Sequence, residues 1–226
     1  MTSPAYTDSM NRLIAEFARL PGVGRRTAER LAFHVLKADP DEALALARAI
    51  DEVKANVRHC SLCFNLTEAD PCPICDAARA GRRNPRRILV VEQPRDLMTL
   101  EQTGVYDGVY HVLLGRIAPL EGVGPQDLTL DALVDRAAQL AASDDAPAQS
   151  QGPGDPDSGH DAVEVILGTN PNVEGDGTAL HVAAALRDLP RVAVTRLARG
   201  LPTGSQLEYA NKSVLSDAIT TRQSLA

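Results

Sequence analysis

All four cysteines of the chain lie in one short stretch, as two Cys-x-x-Cys pairs, Cys60/Cys63 and Cys72/Cys75, with eight residues between them. Two such pairs can set four thiolates tetrahedrally around Zn²⁺, and four protein ligands leave no open position for a catalytic water. The expected cofactor is therefore one structural zinc. His59, beside Cys60, is an alternative ligand. Two disulfides are a competing arrangement, but the first ten residues are polar and carry no secretory signal. A reducing, cytoplasmic setting is expected, and it disfavours disulfides. A redox Cys-x-x-Cys would use one pair and leave the other unexplained.

A second constellation is Leu20-Pro21-Gly22-Val23-Gly24-Arg25-Arg26, set between two short amphipathic segments. This is the signature of a helix-hairpin-helix. The glycines let the backbone turn sharply and approach a phosphate closely. The amides of Gly22, Val23 and Gly24 then open the second helix, where the dipole favours an anion. Arg25, Arg26 and Arg30 follow, and Arg26 and Arg30 share a face at i,i+4. Such contacts hold the nucleic-acid backbone and ignore base identity. A plain turn between helices is the alternative.

The third constellation is acidic. Glu92 ends an apolar run, and Glu174 and Asp176 follow Asn170-Pro171-Asn172-Val173. Carboxylates at the carboxyl ends of parallel strands occupy the usual ligand crevice of such sheets. These three could hold Mg²⁺, bind a basic partner, or simply form a solvated surface. Other chemistries lack their residues. No Walker A lysine follows the glycines, no Gly-x-Ser-x-Gly elbow is present, and His34, His111, His160 and His181 have no partners at ligand or triad spacing.

The elements that must position these groups follow from periodicity. Helical spacing predicts helices over 8–19, 25–37 and 39–57. Strands are predicted over 87–92, 109–114, 162–167 and 191–195. They alternate with helices over 97–102, 130–142 and 178–186, which implies a mostly parallel sheet. A last helix is predicted over 207–222. Residues 143–160 are rich in Ser, Asp, Pro, Gln and Gly, and read as a flexible insertion. With 44% hydrophobic but only 3% aromatic residues, the core must be aliphatic. No apolar run approaches the ~18 residues that cross a membrane.

Charge is uneven within the net −7. Residues 1–87 hold 14 Lys/Arg against 11 Asp/Glu, a net of +3, and residues 88–226 hold 9 against 19, a net of −10. Arg79, Arg82, Arg83, Arg86 and Arg87 crowd one connector. A basic front end can meet DNA while an acidic remainder meets a basic partner.

In this order the motifs resemble the bacterial RecR family. The resemblance rests on Leu20-Pro-Gly-Val-Gly24 with Arg30-Leu-Ala-Phe-His34, the four cysteines, and Val90-Val-Glu92-x-Pro94-x-Asp96. It continues through Leu100-Glu-x-Thr-Gly104-x-Tyr106-x-Gly108-x-Tyr110-His111, Pro119-Leu-x-Gly122-Val-Gly124-Pro125, Thr169-Asn-Pro-x-Val-Glu174-Gly175 and Leu207-Glu-Tyr209-Ala210. It implies an α+β chain in parts. These are a helix-hairpin-helix region (1–58), a four-cysteine zinc knuckle (59–76), an Arg-rich connector (77–86), a Toprim-type α/β domain (87–196) and a terminal segment serving oligomerisation (197–226).

The resemblance further implies ring-like tetramers with a hole able to accommodate duplex DNA. It implies joint action with RecO, and often RecF, in loading RecA onto single-stranded DNA. Arg26 and Arg30 match family positions that contact DNA, and Glu174 matches a position associated with RecO. No catalysis is expected, and the location is the nucleoid. Enzymatic Toprim domains carry an Asp-x-Asp pair where this chain has Asn170-Pro-Asn172, a loss that RecR proteins share. A Mg²⁺-dependent nuclease or primase-like enzyme is the alternative. Gly204-Ser205-Gln206 departs from the family's glycine pair followed by Glu, and the insertion at 143–160 is unusually long.

Overall fold

The structure, a computed structural model, describes residues 6–143, 162–201, 204 and 206–220. The expected insertion, Ser143 apart, lies outside the described residues. Two compact units divide the chain, Met1–Val57 and Arg58–Ala226.

The first unit holds helices α1 (Asp8–Ala18), α2 (Arg25–Lys37) and α3 (Pro40–Asn56). Each starts for a local reason. The Thr7 hydroxyl caps α1 by accepting from the Met10 amide, and Gly24 opens α2 in extended conformation. The Asp39 carboxylate caps α3, with Pro40 in the first turn, where its missing N–H costs nothing. Ile14 of α1 meets Ala28 and Ala32 of α2 in a small core flanked by Met10, Leu13, Phe17 and Val23. The α3 helix buries none of its residues.

In the second unit a short antiparallel hairpin, β1 (Arg58–His59) and β2 (Leu66–Thr67), leads into α4 (Pro73–Arg79). Then come β3 (Asn84–Val91), α5 (Pro94–Glu101), β4 (Gly108–Val112), α6 (Leu130–Ala142), β5 (Val163–Leu167), α7 (Val173–Leu186) and β6 (Val192–Arg196). The four later strands form one sheet in the order β4-β3-β5-β6, and every neighbouring pair is parallel.

Alternation along β3 sends Ile88 and Val90 to one face and Leu89 and Val91 to the other, and both faces are covered. On the first face lie α6 and α7 through Leu133, Ala137, Val182 and Leu186. On the second lie Leu97 of α5 and, from the cysteine knuckle, Phe64 and Ile74. The chain order therefore reverses between β3 and β5, the topological switch point of this sheet.

Several boundaries differ from the periodicity. Strand β3 starts at Asn84 instead of residue 87, because Asn84 pairs with Gly108 before a bulge resets the register at Ile88. The Arg-rich connector is thereby engaged internally. Arg83 bonds Glu101 and the Gly108 carbonyl, buried Arg86 reaches the Ser143 carbonyl, and Arg87 bridges Asp107 and Glu164. Helix α7 starts at Val173, five residues early, because Asn172 caps it by accepting from the Gly175 amide at 2.7 Å. The terminal helix is split. Leu207–Tyr209 is a 3-10 turn, and α8 (Lys212–Thr220) restarts where the Asn211 side chain accepts from the Val214 amide at 2.9 Å. Residues 221–222 of that expected helix lie outside the described residues.

Candidate metal centre and nucleic-acid interface

The first cysteine pair sits at the turn of the β1–β2 hairpin, where Cys60 N–H donates to the Asn65 carbonyl at 2.8 Å and Phe64 takes a positive φ of 60°. The second pair opens α4. Cys72 is the cap residue, Pro73 follows, and one turn brings Cys75 to the same face. Asp70 fixes the approach by accepting from the Ser61 amide at 2.9 Å.

All four thiols are buried and unpaired, and their sulfurs lie within 4.8 Å of one another. Tetrahedral zinc with Zn–S of about 2.3 Å separates its sulfurs by about 3.8 Å. The Cys63 Sγ–Cys72 Sγ distance of 3.5 Å suits that shell and is far too long for a disulfide. Hydrogen bonding to Cys72 pushes the Cys63 thiol up, while the same contact pulls the Cys72 thiol down. Cys60, Cys63, Cys72 and Cys75 thus form a structural zinc site. His59, the alternative ligand, instead places its Nδ1 3.0 Å from the Phe64 carbonyl.

The knuckle is joined to the sheet. Val112, on edge strand β4, donates its N–H to the Cys63 carbonyl at 2.8 Å, and Arg136 of α6 donates to the Leu62 carbonyl at 3.2 Å and the Tyr110 carbonyl at 2.8 Å. An exposed strand edge is thereby covered. Behind it His111 is fully buried, with Phe64 edge-on at 5.3 Å. Thr129 Oγ1 gives its proton to the Val112 carbonyl, so His111 Nε2 must donate to the Thr129 carbonyl, 3.0 Å away. Burial, and then the Arg136 charge, push this imidazole down to about 4, so it is neutral near pH 7.

In the first unit, Gly22 has φ +78°, which a side chain would resist, and it carries the sharp turn between α1 and α2. The Val23 amide closes that turn on the Leu20 carbonyl at 3.1 Å. Arg25 is paired with Glu29 at 3.3 Å. Arg26 and Arg30 are exposed and make no ion pair among the described residues. The hairpin thus offers a glycine turn, a helix N-terminus and two uncommitted guanidinium groups one turn apart.

At the switch point, Glu92 follows β3 and is only 4% exposed. Its two oxygens accept from the backbone and side-chain N–H groups of Asn170, each at 2.7 Å. Gly175 permits this clamp. A Cβ there would lie 2.0 Å from the Asn170 carbonyl oxygen and 2.9 Å from Glu92 Oε1. Glu174 turns instead to Arg116, which also reaches Glu121 at 3.2 Å. Asp176 is held by Arg199 and Arg196, which keep its carboxyl below the usual range. Glu92, Glu174 and Asp176 therefore each have a separate partner. Among the described residues, only the cysteine set gathers three or more potential metal-ligand residues within 4.8 Å. Arg116, Arg196 and Arg199 were invisible to sequence reasoning, since the pairs they form have no characteristic spacing.

This combination defines a class: a helix-hairpin-helix protein whose four-cysteine zinc centre is built onto a Toprim domain. Family models agree part by part. A RecR helix-hairpin-helix model matches residues 10–54, a RecR four-cysteine zinc finger model residues 57–76, and a Toprim domain model residues 86–198. Proteins named "Recombination protein RecR" are similar over nearly the whole chain. The one from Rhodopirellula baltica is 47% identical over 97% of this chain and 98% of its own. The one from Rubrobacter xylanophilus is 46% identical over the same shares, and the one from Chloroflexus aggregans 47% over 95% and 93%. The chain belongs to the RecR family.

Proposed function

We propose that this protein is a non-catalytic mediator of recombinational DNA repair, acting in the cytoplasm at the nucleoid. It grips DNA near single-strand/duplex junctions and, with RecO and in some settings RecF, helps to load RecA onto single-stranded DNA. The observation that carries this reading is the exposed Arg26–Arg30 pair beside the Gly22 turn, which makes no ion pair among the described residues. Backbone contacts of that kind are independent of base sequence. Two guanidinium groups per chain neutralise few phosphates, so useful affinity requires several copies.

Assembly into a ring, a tetramer by the family resemblance, supplies those copies. A bare α3 supports it, since Leu46, Ile50 and Val53 recur at helical spacing and all stand exposed. Such an apolar stripe suits burial against a second copy. Glu174 and its acidic neighbours are the proposed docking point for RecO, a role that fits the net −10 of residues 88–226. Amides at Asn170 and Asn172, together with the clamped Glu92, favour this reading over a Mg²⁺-dependent nuclease or primase-like enzyme. Among the described residues no helix is long and apolar enough to cross a membrane.

The test is a gel-shift assay on gapped duplex with Mg²⁺, at low and moderate salt, with and without RecO. Retarded but intact DNA, tightened by RecO and weakened by salt, is expected. DNA cut or extended in a Glu92-dependent way overturns the proposal.

A further inference from the structure

A groove of about 600 Å³ runs along α2, lined by Arg26, Glu29, Arg30, Phe33, His34 and Lys37. These positions recur at three- and four-residue intervals, so they share one face of the helix. From Arg26 to Lys37 the helix rises about 16 Å, roughly the length of five stacked nucleotides at ~3.4 Å each. Only the first two cations belong to the hairpin motif.

The groove is electrostatically unbalanced. Its acid, Glu29, is committed to Arg25 at 3.3 Å, whereas Arg26, Arg30 and Lys37 make no ion pair among the described residues. Phe33 stands among these cations 37% exposed. Its ring meets Tyr6 at 5.7 Å and 76°, an edge-to-face contact that uses at most one of its faces. The solvent-exposed part of that ring is open to a further stacking partner. Cations tracking a strand, with an aromatic ring for a base, are how proteins hold single-stranded nucleic acid. A duplex offers phosphates to such a surface but keeps its base faces stacked away.

We propose that this face of α2 is a single-stranded DNA subsite that continues from the hairpin. In it a base stacks on Phe33, Lys37 neutralises a phosphate beyond those met by Arg26 and Arg30, and the His34 imidazole borders the same nucleotide. The proposal rests on the DNA-binding reading above and adds the kind of strand that is held and the direction it takes.

The test uses the full chain and fluorescence anisotropy on an oligothymidine and on a duplex of equal length. Phe33→Leu, which keeps an apolar group against Tyr6, weakens single-strand binding at least about fivefold, the low end of a stacked base, and leaves duplex binding unchanged. Lys37→Gln lowers the single-strand salt slope by about 0.7. An oligothymidine carrying 5-iodouracil, irradiated on the wild type, crosslinks to the peptide containing Phe33. If both variants bind both DNAs like the wild type, or the crosslink maps elsewhere, the subsite is refuted while DNA binding stands. Loss of both substrates in an Arg26→Gln/Arg30→Gln variant locates the primary contact at the hairpin and supports the frame on which the subsite rests. A wild type that binds neither DNA overturns both proposals.

Discussion

Replacing Cys72 with serine removes one thiolate from the zinc shell, and the damage is expected to reach the sheet. Ordering of small zinc knuckles draws on about 10–16 kcal/mol of metal binding, so a knuckle that loses its metal opens. Opening breaks the Val112–Cys63 backbone bond and the Arg136–Leu62 bond, and it pulls Phe64 and Ile74 off Leu89, Val91, Leu97, Tyr110 and Val112. The neutral hydrogen bond is worth about 1 kcal/mol and the charged one about 1.5–3. The two partly buried side chains add about 1.5 kcal/mol each. The total, about 5–7 kcal/mol, is comparable to the whole stability of a domain. At about 2–4 °C per kcal/mol for a chain of this size, Tm should fall by roughly 10–25 °C.

The assay combines bound-zinc determination, thermal melting and amide exchange. Faster exchange is expected in Gly108–Val112, the edge strand, before Val163–Leu167 in the sheet interior. A metal-free Cys72→Ser protein that melts like the wild type, with β4 still protected, would refute the reasoning.

His111 should make stability depend on acid. Its folded imidazole titrates at about 4 and the unfolded one at ~6.5, so the unfolded chain binds the extra proton between those values. The stabilisation is complete above ~6.5 and falls by about 3 kcal/mol as pH drops toward 4. Denaturant melts of wild type and His111→Gln at both ends of that window cancel the thiol contribution common to both, and equal losses would argue against the assignment. Gly175→Ala should force Asn170 off Glu92, costing about 1–3 kcal/mol or more, as overpacking does. An unchanged melt would mean that the loop moves aside freely. Ile50→Lys puts a charge into the exposed stripe of α3 and should leave the monomer folded while dissociating the proposed assembly. Light scattering decides it, and an unchanged mass would remove α3 from the interface.

What can be read from the sequence depends on how local each signal is. The α1–α2 hairpin is marked by Leu20-Pro-Gly-Val-Gly24, and the zinc site by Cys-x-x-Cys spacing, because both are made by neighbouring residues. Periodicity starts helix α7 too late, since glycines at 175 and 177 argue against a helix. The cap that overrides them is the Asn172 side chain, and Gly175 is required by a backbone 2.0 Å from where its Cβ would be. The Arg79–Arg87 run has the composition of a surface charge cluster. Its Arg83, Arg86 and Arg87 instead hold partners 18 to 77 residues distant in sequence, contacts that only the closed sheet creates. Likewise Arg116, Arg196 and Arg199 decide what the acidic residues can do, and no periodicity announces them.

The clamp at the switch point explains why the amide at 170 matters. Glu92 is buried, and both of its oxygens are satisfied by Asn170 N–H groups at 2.7 Å. An aspartate at 170 would keep the backbone donor, lose the side-chain donor, and set a second carboxylate against the first. The lost charged hydrogen bond costs about 1.5–3 kcal/mol. Repulsion between carboxylates near 4 Å adds about 4 kcal/mol at an effective dielectric of 20, unless a proton or a cation intervenes. Asn170→Asp should therefore melt well below the wild type in magnesium-free buffer and recover in millimolar Mg²⁺, while the wild type melts alike in both. Chelators are left out of this comparison because they would strip the structural zinc. The amide and the cation would then be alternative solutions to one electrostatic problem, and only the first needs no metal. Asn170→Asp melting like the wild type in magnesium-free buffer would show that the crevice tolerates the second carboxylate, and that the clamp is not what displaces the ion.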